Sequence, residues 1–340
     1  MSFLEEVHQQ PSALRDFIGS YIKDGKGEEI REFLTKNKGF EKVVLTGMGS
    51  SYFAALSAAL YLVQNGVNAE AVDSGELVRN RMALLNKGTL IIAVSQTANS
   101  PEVLELAEAV SKKFPMIAVT NNKERKLSGF TDITVEITAG QELFTSTKTY
   151  TNTIAALYVI CCYILDKDIN QMHLEMEEAA KQMETILKND NADKVGQFLE
   201  DIENICYIGS AYGYFTATHT ELITSEYAKI FGSRYTTGQF LHGPVEMINE
   251  KIGYFIFDSN EATRDKSKKI MDVVLKAGGK VVHFTSETAI STDSRYLHCI
   301  VPKVGEMYSP IVDIVLVELI INNLSIRRGY TPGSLNFVQK

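Results

Sequence analysis

The sequence is poor in cysteine. Four occur in 340 residues, at Cys161, Cys162, Cys206 and Cys299. All lie inside apolar segments such as LYVICCYIL, and none is spaced as a zinc ligand. This argues against a disulfide framework and for buried free thiols in a reducing compartment. Dense Lys/Arg runs are also missing, and the formal net charge is −8, so no face is built for nucleic acid or an anionic membrane surface. The longest apolar stretch, IAALYVICCYIL, has about a dozen residues where a membrane helix needs roughly 20. The start, MSFLEEVHQQP, is acidic without an apolar core, and no signal peptide is expected from it. Neither a GxGxxG with a following acidic partner nor a GxxxxGK[ST] occurs, so a dinucleotide or nucleoside triphosphate is not indicated. The resulting expectation is a cytoplasmic protein with a small-molecule ligand, no metal and no cofactor.

What is present is a repeat. At 340 residues two α/β domains are expected. Segment 42–60 reads KVVLTGMGSSYFAALSAAL and segment 204–218 reads NICYIGSAYGYFTAT. Each is an apolar run, then small residues, an aromatic, and a helical pattern. Gly49 and Gly209 stand 160 apart, Ser95-Gln96 and Ser259-Asn260 stand 164 apart, and Thr120 and Thr285 stand 165 apart. Three matches in one order argue for internal duplication. Between the strands, SPEVLELAEAVSKKF (100–114) reads as a helix with Ser100 as N-cap and Pro101 at its first position. Continuous apolar strands imply burial on both faces, hence parallel pairing. The predicted fold is therefore α/β, two tandem doubly wound parallel-sheet domains at 28–166 and 190–328. A helical arm (1–27) precedes them, a polar junction (187–194) separates them, and a tail (329–340) follows.

Ligands of open parallel sheets bind beyond the C-terminal strand ends, at helix N-termini. Those positions carry TGMGSS (46–51) and SQTANS (95–100). Any one of these hydroxyls alone reads better as a helix cap. Six of them in two clusters after two strands point to an anion site, because unpaired helix N–H groups and the dipole suit a phosphate. A third cluster, GQELFTSTKTYTNT (140–153), fits a helix cap and a wall of the same pocket equally well. Acid–base candidates lie in ELITSEYAKIFGSRYTTGQFLHGPVEM (221–247). Its first part reads as a helix carrying Glu226. GSRYTTG cannot continue that helix, and His242 follows in a Leu-His-Gly-Pro turn. A Glu and a His can move protons at a carbonyl carbon and a ring oxygen, although taken alone Glu226 reads better as a solvated helix residue and His242 as a packed turn residue.

Taken together, the repeat, SQTANS, ELFTSTKTYT and E…GQFLHGP resemble the sugar isomerase (SIS) family of phosphosugar-binding proteins over essentially the whole chain. The arm EEVHQQPSAL resembles the entry to the isomerase part of glucosamine-6-phosphate synthase. The resemblance implies that Ser95, Gln96, Thr97 and Ser100 hold a phosphate. It also implies that Gly49, Ser50 and Ser51 line the same sugar site, with Ser146 and Thr147 adding hydroxyls. Glu226 becomes the carboxylate that shuttles a proton between C1 and C2. His242 becomes the ring-opening histidine, which relatives receive from a neighbouring subunit, so at least a homodimer with a shared active site is implied. The departures matter. Ile223 stands where the isomerases carry a lysine, the tail RRGYTPGSLNFVQK keeps only Lys340, SQTANS lacks a Gly and a Glu of the family loop, and no glutaminase segment is expected. Glu and His without those lysines is the pattern of the fructosamine-6-phosphate deglycases. The implied activity is hydrolysis of a 6-phosphorylated ketosamine to a hexose 6-phosphate and a free amine. The alternatives are an aldose–ketose isomerase or amino-sugar-phosphate deaminase, and a non-catalytic sugar-phosphate-binding regulator.

Overall fold

A computed structural model of the chain describes residues 2–337. The chain divides into two compact units. One comprises Pro11–Glu142 and Ser146–Glu177. The other comprises the residues up to Gln10, Leu143–Thr145, and the chain from Glu178 on. The helical arm is thereby shared, with its first ten residues in the second of these units. Lys340, the lysine expected in the tail, lies outside the described residues.

Each unit is built on one five-stranded sheet. The first holds β1 (Lys42–Gly47), β2 (Ala69–Asp73), β3 (Thr89–Val94), β4 (Met116–Thr120) and β5 (Ile133–Glu136). The second holds β6 (Asn204–Gly209), β7 (Phe231–Thr236), β8 (Ile252–Phe257), β9 (Lys280–Thr285) and β10 (Tyr296–Ile300). All strand pairs are parallel. The order is β2-β1-β3-β4-β5 in one sheet and β10-β9-β8-β6-β7 in the other. Read outward from the first strand of each unit, these are the same order. The parallel sheets follow from strands such as TLIIAV (89–94), every residue of which is buried. Such a run is stable only with helices on both faces. On one face of the β1–β5 sheet, Val44, Ile91, Ala93 and Met116 pack against Val103, Leu106 and Val110. In the β6–β10 unit, Cys206, Ile208, Tyr254 and Ile256 meet Ile270, Met271 and Val274.

The structure corrects the repeat register. Gly49 corresponds to Ala211, 162 residues on, because each caps the helix after the unit's first strand. Their backbones match as well, at φ 52°, ψ −128° and φ 48°, ψ −122°. Glycine fits that conformation freely, whereas Ala211 holds it with strain of about 1–3 kcal/mol. Gly209 corresponds instead to Gly47. Likewise Ser95 corresponds to Asp258 rather than to Ser259, since each follows its strand and donates its N–H to the neighbouring strand, at Val119 and Phe284.

A Cβ on Gly209 would lie 2.5 Å from the backbone of Gly213. Only a backbone shift could relieve that overlap. Gly209→Ala is expected to lower stability by about 1–3 kcal/mol or more, read as a lower denaturant midpoint with unchanged slope. An unchanged midpoint would show that the turn after β6 yields freely.

The apolar helix Lys148–Ile164 is buried almost throughout, as its composition suggests. The segment Glu306–Arg327 is long and apolar enough to cross a membrane by length and composition, and 78% of its most apolar window is buried inside the protein. All four cysteines are free and buried. Burial pushes the Cys162 thiol up to about 11 and Cys299 to about 12, which keeps both as unreactive thiols.

Candidate functional site

In the β1–β5 unit the first strand lies between β2 and β3, so the winding reverses there. The loops after β1 and β3 flank that switch point, which is where an open α/β sheet leaves a crevice. They carry the two hydroxyl clusters named from the sequence. Gly49 is the N-cap of the helix Ser50–Gln64, and it supplies no side chain to cap it. Ser50 and Ser51 are the first two helical residues and both are half-buried.

Ser95 follows β3, is 1% exposed, and its Oγ lies 2.9 Å from Ser100 Oγ. Ser100 occupies the N-cap of the helix Pro101–Val110, yet its side chain makes no capping bond. The cap reading therefore fails for Ser100, and its hydroxyl remains turned to Ser95. The Gln96 carbonyl accepts from Thr120 Oγ1 at 3.2 Å and from the Asn121 N–H at 3.1 Å. Thr97 is exposed and accepts the Asn99 N–H at 3.3 Å. Between them buried Ala98 takes φ 54° and donates its N–H to the Ser95 carbonyl at 3.1 Å. The loop is thus a tight turn with hydroxyls and helix N–H groups around its rim.

Thr147 and Ser146 belong to the same unit. Thr147 is buried, and its N–H and Oγ1 both donate to Glu142 Oε1, at 3.0 and 2.9 Å. Glu142 also accepts from the Thr149 N–H at 3.1 Å and from the Thr149 hydroxyl. A carboxylate collecting these donors caps the start of Lys148–Ile164, so Thr147 here serves the cap. Sequence reasoning missed Glu142, although a Glu five residues before a Thr-rich helix start was the available signal. Ser146 is half-buried.

The β6–β10 unit holds the acid–base candidates. Glu226 sits in the last turn of the helix Tyr212–Tyr227 and is half-buried. Its Oε2 accepts a hydrogen bond from the Thr145 hydroxyl, and the Thr145 N–H donates to Tyr227 Oη. Tyr227 is fully buried, its ring 4.7 Å from that of Phe3, and its carbonyl accepts from Ser325 Oγ at 3.0 Å. Glu226 is therefore held by a hydroxyl that is itself fixed through the neighbouring buried tyrosine. Ile223 points into the core with 0% exposure. Lys229, which sequence reasoning passed over, donates to the Glu226 carbonyl and to the Ser334 carbonyl at 3.2 Å. His242 is exposed in the turn after the short helix Thr237–Phe240, and its N–H donates to the Gln239 carbonyl at 3.0 Å. Among the described residues no group of three or more His, Cys, Asp or Glu could hold a metal ion.

A parallel α/β sheet with hydroxyl-rich loops at its switch point agrees with the family comparison, in which residues 38–162 match the SIS domain. Over nearly its whole length the chain is similar to glutamine–fructose-6-phosphate aminotransferase (isomerizing) of Pyrococcus horikoshii. The identity is 26%, covering 97% of this chain and 55% of the relative. The same enzyme of Clostridium tetani is 25% identical over 96% of this chain. The chain spans about half the length of these relatives. Among solved structures, the C-terminal domain of glucosamine-fructose-6-phosphate aminotransferase from Francisella tularensis aligns with TM-score 0.88 at 20% identity, covering 98% of each chain. Tagatose-6-phosphate ketose/aldose isomerase from Escherichia coli aligns at 0.80 and 19% identity, over 99% of this chain and 96% of that one. These likenesses show the fold.

If Ser95 and Thr97 bind a substrate phosphate, each charge-assisted hydrogen bond contributes roughly 1.5–3 kcal/mol. Ser95→Ala with Thr97→Ala is then expected to raise KM about tenfold or more for each hydroxyl removed, with the thermal midpoint little changed. An unchanged KM for a phosphorylated substrate would remove the loop from the site.

Proposed function

We propose that the protein is an enzyme of phosphosugar metabolism, and specifically a deglycase of 6-phosphorylated ketosamines. The observation that carries this reading is the pairing of a half-buried Glu226, held by the Thr145 hydroxyl, with a fully buried isoleucine at 223. A carboxylate stands where the resemblance asks for a general base, and a core isoleucine stands where the isomerases carry a lysine. In this reading the Ser95–Ser100 loop and the first turn of Pro101–Val110 hold the 6-phosphate, with Ser50, Ser51 and Ser146 near the sugar hydroxyls. His242 assists ring opening. Glu226 takes a proton from C1 of the open ketosamine, and C2 is reprotonated, which leaves a C1 imine. Water adds to that imine and expels the amine, so one ketosamine 6-phosphate and one water give one hexose 6-phosphate and one amine. The C2 carbonyl takes up the electron pair left at C1 to give an enaminol, the nitrogen lone pair then drives protonation at C2, and no enzyme Schiff base is needed.

The deciding experiment is an amine-release assay over phosphorylated ketosamines such as fructoselysine 6-phosphate, with hexose 6-phosphate measured in parallel. Stoichiometric release of both products supports the reading. The activities for which the relatives are named, one an isomerising aminotransferase and one a ketose/aldose isomerase, favour a second reading, simple interconversion of hexose 6-phosphates. Interconversion without amine release would select it.

Exposure of His242 supports its use by a neighbouring subunit, and hence a homodimer or larger assembly. Mixing Glu226→Gln with His242→Ala under subunit exchange is expected to restore part of the activity. Failure to recover, with exchange demonstrated, would assign both residues to one chain. The shared strand order of the two sheets and the matched caps at Gly49 and Ala211 support an origin of the units by internal duplication.

A further inference from the structure

The β6–β10 unit contains a cavity of its own, about 140 Å³, which the proposed reaction does not use. It lies beyond the ends of β8, β9 and β10. Asp258 and Ser259 reach it from the loop after β8, Arg264 from the start of the helix Arg264–Lys276, and Lys303 from beyond β10. Ser309 and Asp313 reach it from the first turns of the helix Ser309–Arg327.

Its polar atoms are buried and unused. Asp258, Ser309 and Asp313 are 5%, 3% and 2% exposed. Even so, Asp258 Oδ1, Ser259 Oγ, Arg264 Nε, Ser309 Oγ and Asp313 Oδ1 have no hydrogen-bond partner among the described residues. Buried polar groups are nearly always paired, so several orphans converging on one cavity mark the place of a ligand. The other Asp258 oxygen is 3.3 Å from His283 Nε2, and His283 Nδ1 is 2.8 Å from Tyr296 Oη. This chain of hydrogen bonds fixes the carboxylate.

The charge balance states the ligand's sign. Besides Asp313, four carboxylates line the cavity, Asp258, Glu261, Glu287 and Glu306, against two cations, Arg264 and Lys303. Arg264 is ion-paired with Glu287 at 3.4 Å and Asp258 at 3.8 Å, although its Nε makes no hydrogen bond among the described residues. Burial pushes the Asp313 carboxyl up to about 8, so at pH 7 it is protonated until a bound ammonium group draws the proton off. A phosphate would be repelled here. Asp258 occupies the place that Ser95 takes in the other unit, so one position in the fold carries a hydroxyl in one unit and a carboxylate in the other.

We infer that this cavity binds a small hydroxylated primary amine in its protonated form. The ammonium group would donate to Asp313, Asp258 and Ser309, and ligand hydroxyls would meet Ser259 and Lys303. A cavity of about 150 Å³ accommodates benzene, which sets the ligand near six heavy atoms. The inference does not depend on the deglycase reading.

The test is calorimetric titration of the full chain at pH 7 with 2-amino-1,3-propanediol and with glycerol, which have equal numbers of heavy atoms. The amine is expected to bind at least tenfold more tightly. Asp313→Asn and Ser309→Ala should each weaken it about tenfold, the second variant guarding against misfolding of the first. Affinity should be unchanged in Glu226→Gln, which separates this cavity from the proposed catalytic site. Equal binding of amine and glycerol, no binding of the amine, or amine binding indifferent to both cavity variants would overturn the inference.

Discussion

Glu226→Gln is expected to abolish most or all turnover while leaving substrate binding intact. The amide keeps the shape of the side chain and can still accept the Thr145 hydroxyl that now meets Oε2, but it cannot take a proton from carbon. Loss of a general base costs about 10²–10⁴ in rate. The upper part of that range is expected, because Ile223 is buried in the core and offers no second base. Stabilisation of the variant by a hexose 6-phosphate in a thermal melt should match that of the wild type, since the phosphate-binding hydroxyls proposed at Ser95 and Thr97 are untouched. A variant turning over at near wild-type rate would remove Glu226 from the mechanism. A variant that neither binds nor folds would make it a structural residue.

The second large effect concerns stability. Asp313 lies 2% exposed on Ser309–Arg327, and burial alone raises its carboxyl from an ordinary 3.8 to about 8. The folded chain therefore holds a proton there that the unfolded chain releases above its own pKa. The contribution is fully present below about pH 4 and is lost progressively as pH rises through about 8, at no more than about 1.4 kcal/mol per pH unit. Asp313→Asn keeps the shape and removes the ionisation. Its stability relative to wild type should grow steadily between about pH 4 and pH 8, reaching about 2 kcal/mol or more, equivalent to several degrees in Tm. Parallel pH profiles for the two proteins would show that Asp313 ionises in the folded state as easily as in water.

The strands that were legible share one property. β1, β3 and β4, with β6, β8 and β9, include every interior strand of the two sheets, and they read as unbroken apolar runs because both faces are covered. The four strands that passed unseen, β2, β5, β7 and β10, are the four sheet edges. FGSRYT in β7 is exposed at Phe231 and half-buried along the rest. An edge strand gains its hydrogen bonds from one neighbour only and buries little, so composition alone cannot separate it from a loop. For the same reason GSRYTTG was legible as the end of a helix but not as the start of a strand.

The sequence by itself determined the parallel α/β class, the buried free thiols, and the two hydroxyl clusters. Each of these follows from local composition and from the period of apolar residues, which the chain carries without reference to distant neighbours. Only the tertiary structure decided what the polar side chains are for. It turned Ser100 toward Ser95 rather than onto its own helix, spent Thr147 on the Glu142 cap, and set Thr145 beside Glu226 across 81 positions of chain. It also set Asp258 where the other unit has Ser95, on the same cavity as Asp313. A hydroxyl or carboxylate takes its role from the partner nearest to it, and packing, not sequence spacing, chooses that partner.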